Sequence, residues 1–251
     1  MTAKIGNFVE QEPIMFQQSL FEESSTKKHR LGTIRRLEDG RVFVYAYNGA
    51  VALSAAYLVC PGYTTPTAAT PDETVTVGDK DIHVTAAGVT ASQFRDGWLL
   101  VTTSTGIGDL YKIRDNDATD SDGDVDIELY DSFRHAVTTT STSKLYQNPY
   151  SGVLVNPLDA QQKPLGVPTL GITASYYFWL QCKGPGPLVM DVPAAAGLEL
   201  DEKLVIASTN VAGAGMITTT PANADMRHIV GELMEEQDLT NTYAALINLN
   251  L

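Results

Sequence analysis

The acidic run Asp115–Asp126 (DNDATDSDGDVD) is the segment of this sequence whose residue types best fit a chemical role. Calcium takes about six to eight oxygen ligands, which alternating carboxylates can supply. The run therefore makes Asp120, Asp122 and Asp124 candidate ligands for a cation.

The same run fails the EF-hand pattern. If Gly123 occupies the sixth loop position, Ala118 and Leu129 fall at the first and twelfth, and neither side chain offers a ligand oxygen. The alternative, which we favour, is a solvated hairpin tip between two strands, so no metal site is assigned.

Other catalytic and metal-binding patterns receive no support. Gly106-Ile107-Gly108 lacks the third glycine and the following helix of a phosphate-binding loop, and indicates a hairpin turn. No Gly-x-Ser-x-Gly elbow is present, so we assign no catalytic residue and no cofactor. A β-barrel hydrolase stays as a hypothesis that a pocket with convergent acids would favour. The histidines lack the neighbours of a zinc site; they are His29, His83, His135 and His228.

The elements that must position these residues are strands. Several short segments rich in β-branched or aromatic residues alternate with period two and end at Gly, Asp or Pro. They are Arg41–Tyr47, Trp98–Thr103, Asp124–Tyr130, Tyr176–Lys183 and Lys203–Ser208. This pattern predicts an all-β protein, built of antiparallel β-barrel or β-sandwich units with an extended N-terminal arm.

A few segments are ambiguous. Val51–Leu58 is Ala-rich and is a helix candidate of about two turns, and Thr90–Arg95 could start another. We expect Met226–Asp238 to contain a strand, because Gly231 disfavours a helix. A turn at Asp238–Asn241 and a last strand at Thr242–Leu251 should follow.

The chain divides into an arm and two β-rich units. The arm covers residues 1–36, and the units cover 37–157 and 165–251. Residues 158–164 (LDAQQKP) have neither periodicity nor an apolar face and form the predicted linker.

Two aromatic segments resemble each other. Phe43–Gly49 and Tyr177–Gly184 both place aromatic residues before a glycine, which suggests a duplicated barrel unit or a chance likeness of strand ends. Because both faces of Tyr176–Trp179 are apolar, we expect it to be buried rather than to form a sugar-stacking platform.

Composition excludes several classes of protein. The formal net charge of −13 disfavours binding to nucleic acid, and no run reaches the roughly 20 apolar residues that span a bilayer. Two cysteines, Cys60 and Cys182, cannot form a disulfide scaffold. The first residues lack an apolar signal core, so we expect a protein that is not secreted.

Charge separates the arm from the rest of the chain. Residues 1–36 carry six basic and four acidic side chains, which leaves 11 basic against 26 acidic in residues 37–251. The arm is either simply solvated or a docking strip for an acidic partner, with apolar pins among its charges. The candidate contact residues are Phe16, Phe21, Lys27, Lys28, Arg30, Leu31, Ile34, Arg35 and Arg36.

Several motifs together resemble virion proteins of tailed bacteriophages. They are LGT at 31–33, DGRVFVY at 39–45, GAxALxxAxLV at 49–59, DGWLxV at 96–101, GIGxxYKI at 106–113, NPYSGV at 148–153, GV at 166–167, YxWxQ at 177–181, Gly184, VGE at 230–232 and ALIxL at 245–249. They cover most of residues 31–251. The likeness is to capsid decoration (cement) proteins, which sit on the outside of the head lattice and stabilise it, commonly as trimers.

The resemblance implies a non-enzymatic structural virion protein. Its partners would be the major capsid protein and further copies of itself in a homotrimer. It would be made in the host cytoplasm and would reside on the outer capsid surface, where it clamps adjacent capsid subunits. The alternative is a head-fibre base or tail-associated protein that binds host glycan.

Overall fold

The structure is a computed structural model. It describes residues 18–63, 65–158, 162–191, 204–217, 229–234 and 243–251. Within these ranges the chain forms sixteen strands and no helix. The prediction of an all-β protein is therefore confirmed, and of the two predicted alternatives, barrel or sandwich, the strands form closed barrels.

The strands, in chain order, are β1 (Ile34–Arg36), β2 (Val42–Tyr47), β3 (Val59–Cys60), β4 (Thr67–Pro71), β5 (Asp81–Thr85), β6 (Trp98–Val101), β7 (Leu110–Asn116), β8 (Asp124–Leu129), β9 (Ser143–Tyr146), β10 (Leu154–Val155), β11 (Val167–Pro168), β12 (Tyr177–Met190), β13 (Leu204–Ala207), β14 (Gly215–Ile217), β15 (Ile229–Leu233) and β16 (Tyr243–Asn250).

Six strands close into the first barrel, in the order β4-β5-β8-β7-β6-β9. All its neighbouring strands are antiparallel. Alternate residues point inward, as Val125, Ile127 and Leu129 do on β8, and are removed from water. Burial of such side chains stabilises a fold by about 1.5–3 kcal/mol each. The period-two alternation of Asp124–Tyr130 therefore corresponds to an inward and an outward face of this strand.

A second barrel uses the C-terminal strands. The chain of pairings β12-β14-β13-β15-β16 returns to its start because β16 also pairs with β12. The β12–β14 contact is parallel and short, with Met190 opposite Gly215. A separate cluster of apolar side chains, including Leu188, Val205 and Ile247, fills this barrel.

The long strand β12 belongs to two parts of the molecule. Its first half pairs with β2, and its second half pairs with β16 in the second barrel. The register shifts between Gln181 and Lys183, and Gly184 follows with φ +81°. A Cβ at Gly184 would lie 3.0 Å from the Arg41 Cα atom. Both the backbone conformation and the close approach therefore require glycine at this bend.

The structure corrects both helix candidates. Val51–Leu58 is irregular chain in which Leu53 forms a bridge to Ile172, so tertiary pairing prevails over its Ala-rich composition. Thr90–Arg95 forms successive turns, with Ser92 in the left-handed region at φ 61°, which a continuing helix cannot contain.

The C-terminal strand predictions are confirmed for the described residues. Ile229–Leu233 is a strand within the ambiguous segment, and Tyr243–Asn250 matches the predicted last strand. The predicted turn at Asp238–Asn241 lies outside the described residues.

The two similar aromatic segments pair with each other. Tyr47 lies opposite Tyr177, and Tyr45 lies opposite Trp179, in one antiparallel ladder. The side chains of Phe178 and Trp179 are fully buried, which confirms the expected burial for these two residues, whereas Tyr176 and Tyr177 are half-buried. The proposed boundaries at residues 36, 157 and 165 stay a prediction.

The bend in β12 yields a stability prediction. Gly184→Ala should lower the free energy of unfolding by about 2 kcal/mol or more, because it adds steric contact with Arg41 to left-handed strain. Gly40→Ala is the control, since Gly40 has φ +88° but nothing within 4 Å of a Cβ. Urea unfolding would measure both, and equal losses would contradict the steric part of the argument.

Candidate functional site

Residues 18–36, here called the strap, lie along the body of the protein. Residues 1–17 of the predicted arm, including Phe16, lie outside the described residues. Leu20 and Leu31 are buried against Tyr45 and Trp179. The strap ends in β1, which pairs with β2 at the edge of the sheet. Its apolar side chains thus complete a core that β2 and β12 begin.

Gln18 fixes the start of the strap by hydrogen bonds. Its Oε1 atom accepts from the Tyr45 hydroxyl at 2.8 Å, and its Nε2 atom donates to the Tyr177 carbonyl at 3.0 Å. The Trp179 indole donates to the Gln18 carbonyl at 3.1 Å. Burial raises the pKa of Tyr45 to about 12, so its hydroxyl keeps the proton that it donates. These bonds satisfy polar groups that would be costly to bury alone.

The carboxylate of Asp96 holds the middle of the strap to the first barrel. Asp96 is fully buried in the loop before β6, and its Oδ2 atom lies 2.5 Å from the Lys27 ammonium. The Leu31 N–H donates to the same oxygen at 2.9 Å, and the Tyr130 hydroxyl donates to Oδ1 at 3.0 Å. A buried carboxylate needs such a full set of donors.

The predicted contact residues divide into two groups. Lys27 and Leu31 face the protein interior, Lys27 on Asp96 and Leu31 in the core at 6% exposure. Leu31 was predicted as a contact residue, and in the structure its own chain covers it. The Arg30 guanidinium stacks over the Tyr130 ring at 4.0 Å.

The other described candidates face outward or are half-buried. The large apolar side chains of Phe21 and Ile34 are 63% and 53% exposed. Lys28 and Arg36 are exposed and Arg35 is half-buried. The strap therefore exposes both cations and large apolar side chains.

The acidic run forms the hairpin that joins β7 and β8, as the favoured interpretation predicted. Asp120 Oδ1 accepts the backbone N–H groups of Asp122 and Asp124, both at 2.9 Å. Those two bonds lower the pKa of Asp120. At the base of the hairpin, Asp115 pairs with Arg95. The three predicted ligands do not come together as one cation site.

A different group of potential ligands is present on the first barrel. Asp72, His83 and Asp124 each place a potential ligand atom within 4.8 Å of the other two. Among the described residues, no other group of three His, Cys, Asp or Glu side chains comes this close together. The cluster contains one predicted residue, Asp124, and two that sequence analysis missed. They lie on or beside three strands whose pairing the sequence did not reveal.

Acidic side chains also line an open cleft on the first barrel, beside β5 and β8. A general acid in a hydrolase needs a raised carboxyl pKa. Each carboxyl whose pKa is shifted among the described residues is shifted downward. These residues are Asp39, Asp79, Asp109, Asp115 and Asp120. This observation does not favour the hydrolase hypothesis.

Comparison of the chain with protein-family models, with curated proteins and with solved structures finds no match in any of the three. No helix of the described residues is long and apolar enough to cross a membrane.

The ion pair at Asp96 yields a stability prediction. Lys27→Met keeps the side-chain stem but leaves a buried carboxylate without its cation, and should lower the free energy of unfolding by about 2–4 kcal/mol. Arg114→Met is the control, because the Arg114–Glu128 pair is also 2.5 Å long but is exposed at both ends. It should cost less than about 1 kcal/mol. Similar losses in urea unfolding would show that burial of Asp96 is unimportant.

His29 yields a pH prediction. Burial and then the charge of Arg35 lower the pKa of His29 below 6.5, and its ring lies 5.0 Å from that of Tyr45. The folded state therefore binds this proton less readily than the unfolded state, and stability is lost as pH falls from about 6.5 through the lowered pKa. His29→Gln should remove this part of the loss. Unfolding curves at several pH values would test it, and parallel curves for the two proteins would contradict it.

Proposed function

We propose that this chain is a non-enzymatic structural virion protein that decorates and stabilises the outer surface of a tailed-phage capsid. It would act as a homotrimer that clamps adjacent major capsid protein subunits. The motifs quoted above suggested the family. The outer side of the strap is the single observation that carries the proposal.

The strap has the chemistry of a contact surface for an acidic, partly apolar partner. Lys28 and Arg36 are exposed on the strap, and so are the large apolar side chains of Phe21 and Ile34. The remainder of the chain, residues 37–251, carries 26 acidic against 11 basic side chains. Exposed apolar groups gain from desolvation, while the charges determine orientation and partner choice.

The anchoring of the strap suits a passive clamp. Gln18 is tied to β2 and β12, and Lys27 is tied to a loop of the first barrel. A pull on the strap is therefore carried by several hydrogen bonds and an ion pair at once. Repeated contacts in a trimer would add to affinity through effective concentration.

The proposal predicts that capsid binding depends on the exposed cations of the strap. The double variant Lys28→Glu/Arg36→Glu should lower affinity for purified capsid shells by about tenfold or more, with a larger effect at low salt. The control Lys144→Glu/Lys163→Glu makes the same change in net charge at exposed positions outside the strap. Co-sedimentation measures both, and equal effects would contradict a role for the strap.

The arm should be truncated with the fold in mind. Removing residues 1–36 would take away Gln18, Leu20 and Leu31, all of which are buried, so a loss of binding would not be informative. Removing residues 1–17 leaves the strap intact and tests whether that segment adds to binding.

Light scattering should give the mass of three chains, and copies bound per shell should approach the number of lattice sites. Only a few copies per virion would instead indicate a fibre or tail protein.

A further inference from the structure

The outer face of the first barrel brings an imidazole and several carboxylates together. His83 on β5 lies directly opposite Asp126 on β8, and Thr85 lies opposite Asp124. Asp72 follows β4, and its N–H donates to the His83 carbonyl at 3.3 Å. Strand pairing therefore fixes the backbone of all these positions.

Both ring nitrogens of His83 face carboxylate oxygens. Nδ1 lies 2.7 Å from Asp72 Oδ2, and Nε2 lies 3.6 Å from Asp126 Oδ1. One potential ligand atom from each of Asp72, His83 and Asp124 lies within 4.8 Å of the other two. Ligands that share a metal ion at about 2.0–2.2 Å lie about 3.3–3.6 Å apart in a tetrahedral site. Small side-chain rotations at this half-exposed surface would widen the 2.7 Å contact between His83 and Asp72 and bring the three ligand atoms to that separation.

We propose that Asp72, His83 and Asp124 bind one divalent transition-metal ion such as Zn²⁺. Nδ1 of His83 would bind the ion beside Asp72, Nε2 would keep its proton and face Asp126, and water would take the fourth position. The imidazole distinguishes this group from an ordinary acidic patch, since imidazole ligands suit zinc and its neighbours, whereas purely oxygen sites suit calcium and magnesium.

Electrostatics favour a cation here. The negative charges of Asp72, Asp126 and Asp124 all stabilise a positive charge at His83, and a positive charge at His83 in turn stabilises the Asp120 carboxylate. A divalent ion offsets the mutual repulsion of these carboxylates, and the net charge of −13 raises the local concentration of cations.

The ion would link three strands. Asp72 adjoins β4, His83 is on β5 and Asp124 is on β8, and the β4–β5 ladder has only two paired positions, Thr70 with Thr85 and Pro71 with Val84. A bound ion therefore adds a cross-link where the barrel is weakly joined. Because it binds only the folded chain, it raises the unfolding temperature.

The chain offers a matched control. His135 also pairs with one carboxylate, with Nδ1 at 2.7 Å from Asp109 Oδ2, but Arg134 lies 3.4 Å from the other oxygen of Asp109. A neighbouring cation disfavours a metal ion. His135→Asn thus removes an exposed histidine in a similar pair outside the proposed site.

The test is titration of the full chain with ZnCl₂ at pH 7.5 by calorimetry, together with thermal unfolding. We expect one Zn²⁺ per chain and a higher unfolding temperature. His83→Asn and Asp124→Asn should each weaken binding at least tenfold and remove the thermal shift, while His135→Asn should change neither. Co²⁺ should give visible absorption in the wild-type protein that His83→Asn abolishes.

Three outcomes would overturn the proposal. One is absence of Zn²⁺ binding at millimolar concentration, which would leave His83 as a histidine paired with Asp72. A second is Zn²⁺ binding that His83→Asn leaves unchanged. The third is binding of Ca²⁺ alone, which would assign the carboxylates without the imidazole. Circular dichroism of each variant would show whether weaker Zn²⁺ binding is due to loss of fold. We expect each variant to stay folded, because the substituted side chains are half-buried or exposed.

Discussion

The buried carboxylate of Asp96 is the interaction on which the arrangement of the strap depends. It receives hydrogen bonds from Lys27, Leu31 and Tyr130, which come from the strap and from the first barrel. The Asn148 side chain reinforces this junction by donating to the carbonyls of both Leu31 and Asp96. Burying a charge is favourable only when its partners are in place, so this site accepts one position of the strap and penalises others. The outer side chains of the strap are therefore held in fixed positions relative to the first barrel.

The second organising constraint is the shared strand β12. It supplies Trp179 to the apolar cluster on which the strap packs, here called the bed, and Leu188 to the interior of the second barrel. Because it bends at Gly184 without breaking, the strap and the second barrel are connected through one continuous backbone. Such continuity is compatible with the structural role proposed above.

Much of the fold could be predicted from the sequence where alternation is clear. The inward residues of β8, the burial of Trp179 and the strand at Ile229–Leu233 follow from side-chain pattern and the cost of glycine in a helix. Val51–Leu58 could not be predicted, because its conformation depends on a bridge to Ile172, far along the chain.

The candidate sites show the same division. The charge asymmetry of the sequence singled out residues 1–36, which include the strap. Which strap side chains face outward depends on the contacts with Asp96, and no local sequence pattern predicts those contacts. The cluster around His83 depends on the partners of β5, and alternation indicates the face of a strand but not its neighbour.

The pairing of β2 with β12 also bears on the order of folding. The first barrel is built wholly from residues 67–146, so its strands can assemble while later residues are still being synthesised. The bed for the strap is different, because Tyr45 meets Trp179 only after most of the chain has left the ribosome. Contacts between such distant segments form slowly. Lys27 and Leu31 can therefore meet Asp96 as soon as the first barrel has formed, whereas Gln18 at the start of the strap receives its Tyr177 and Trp179 partners only at this later stage.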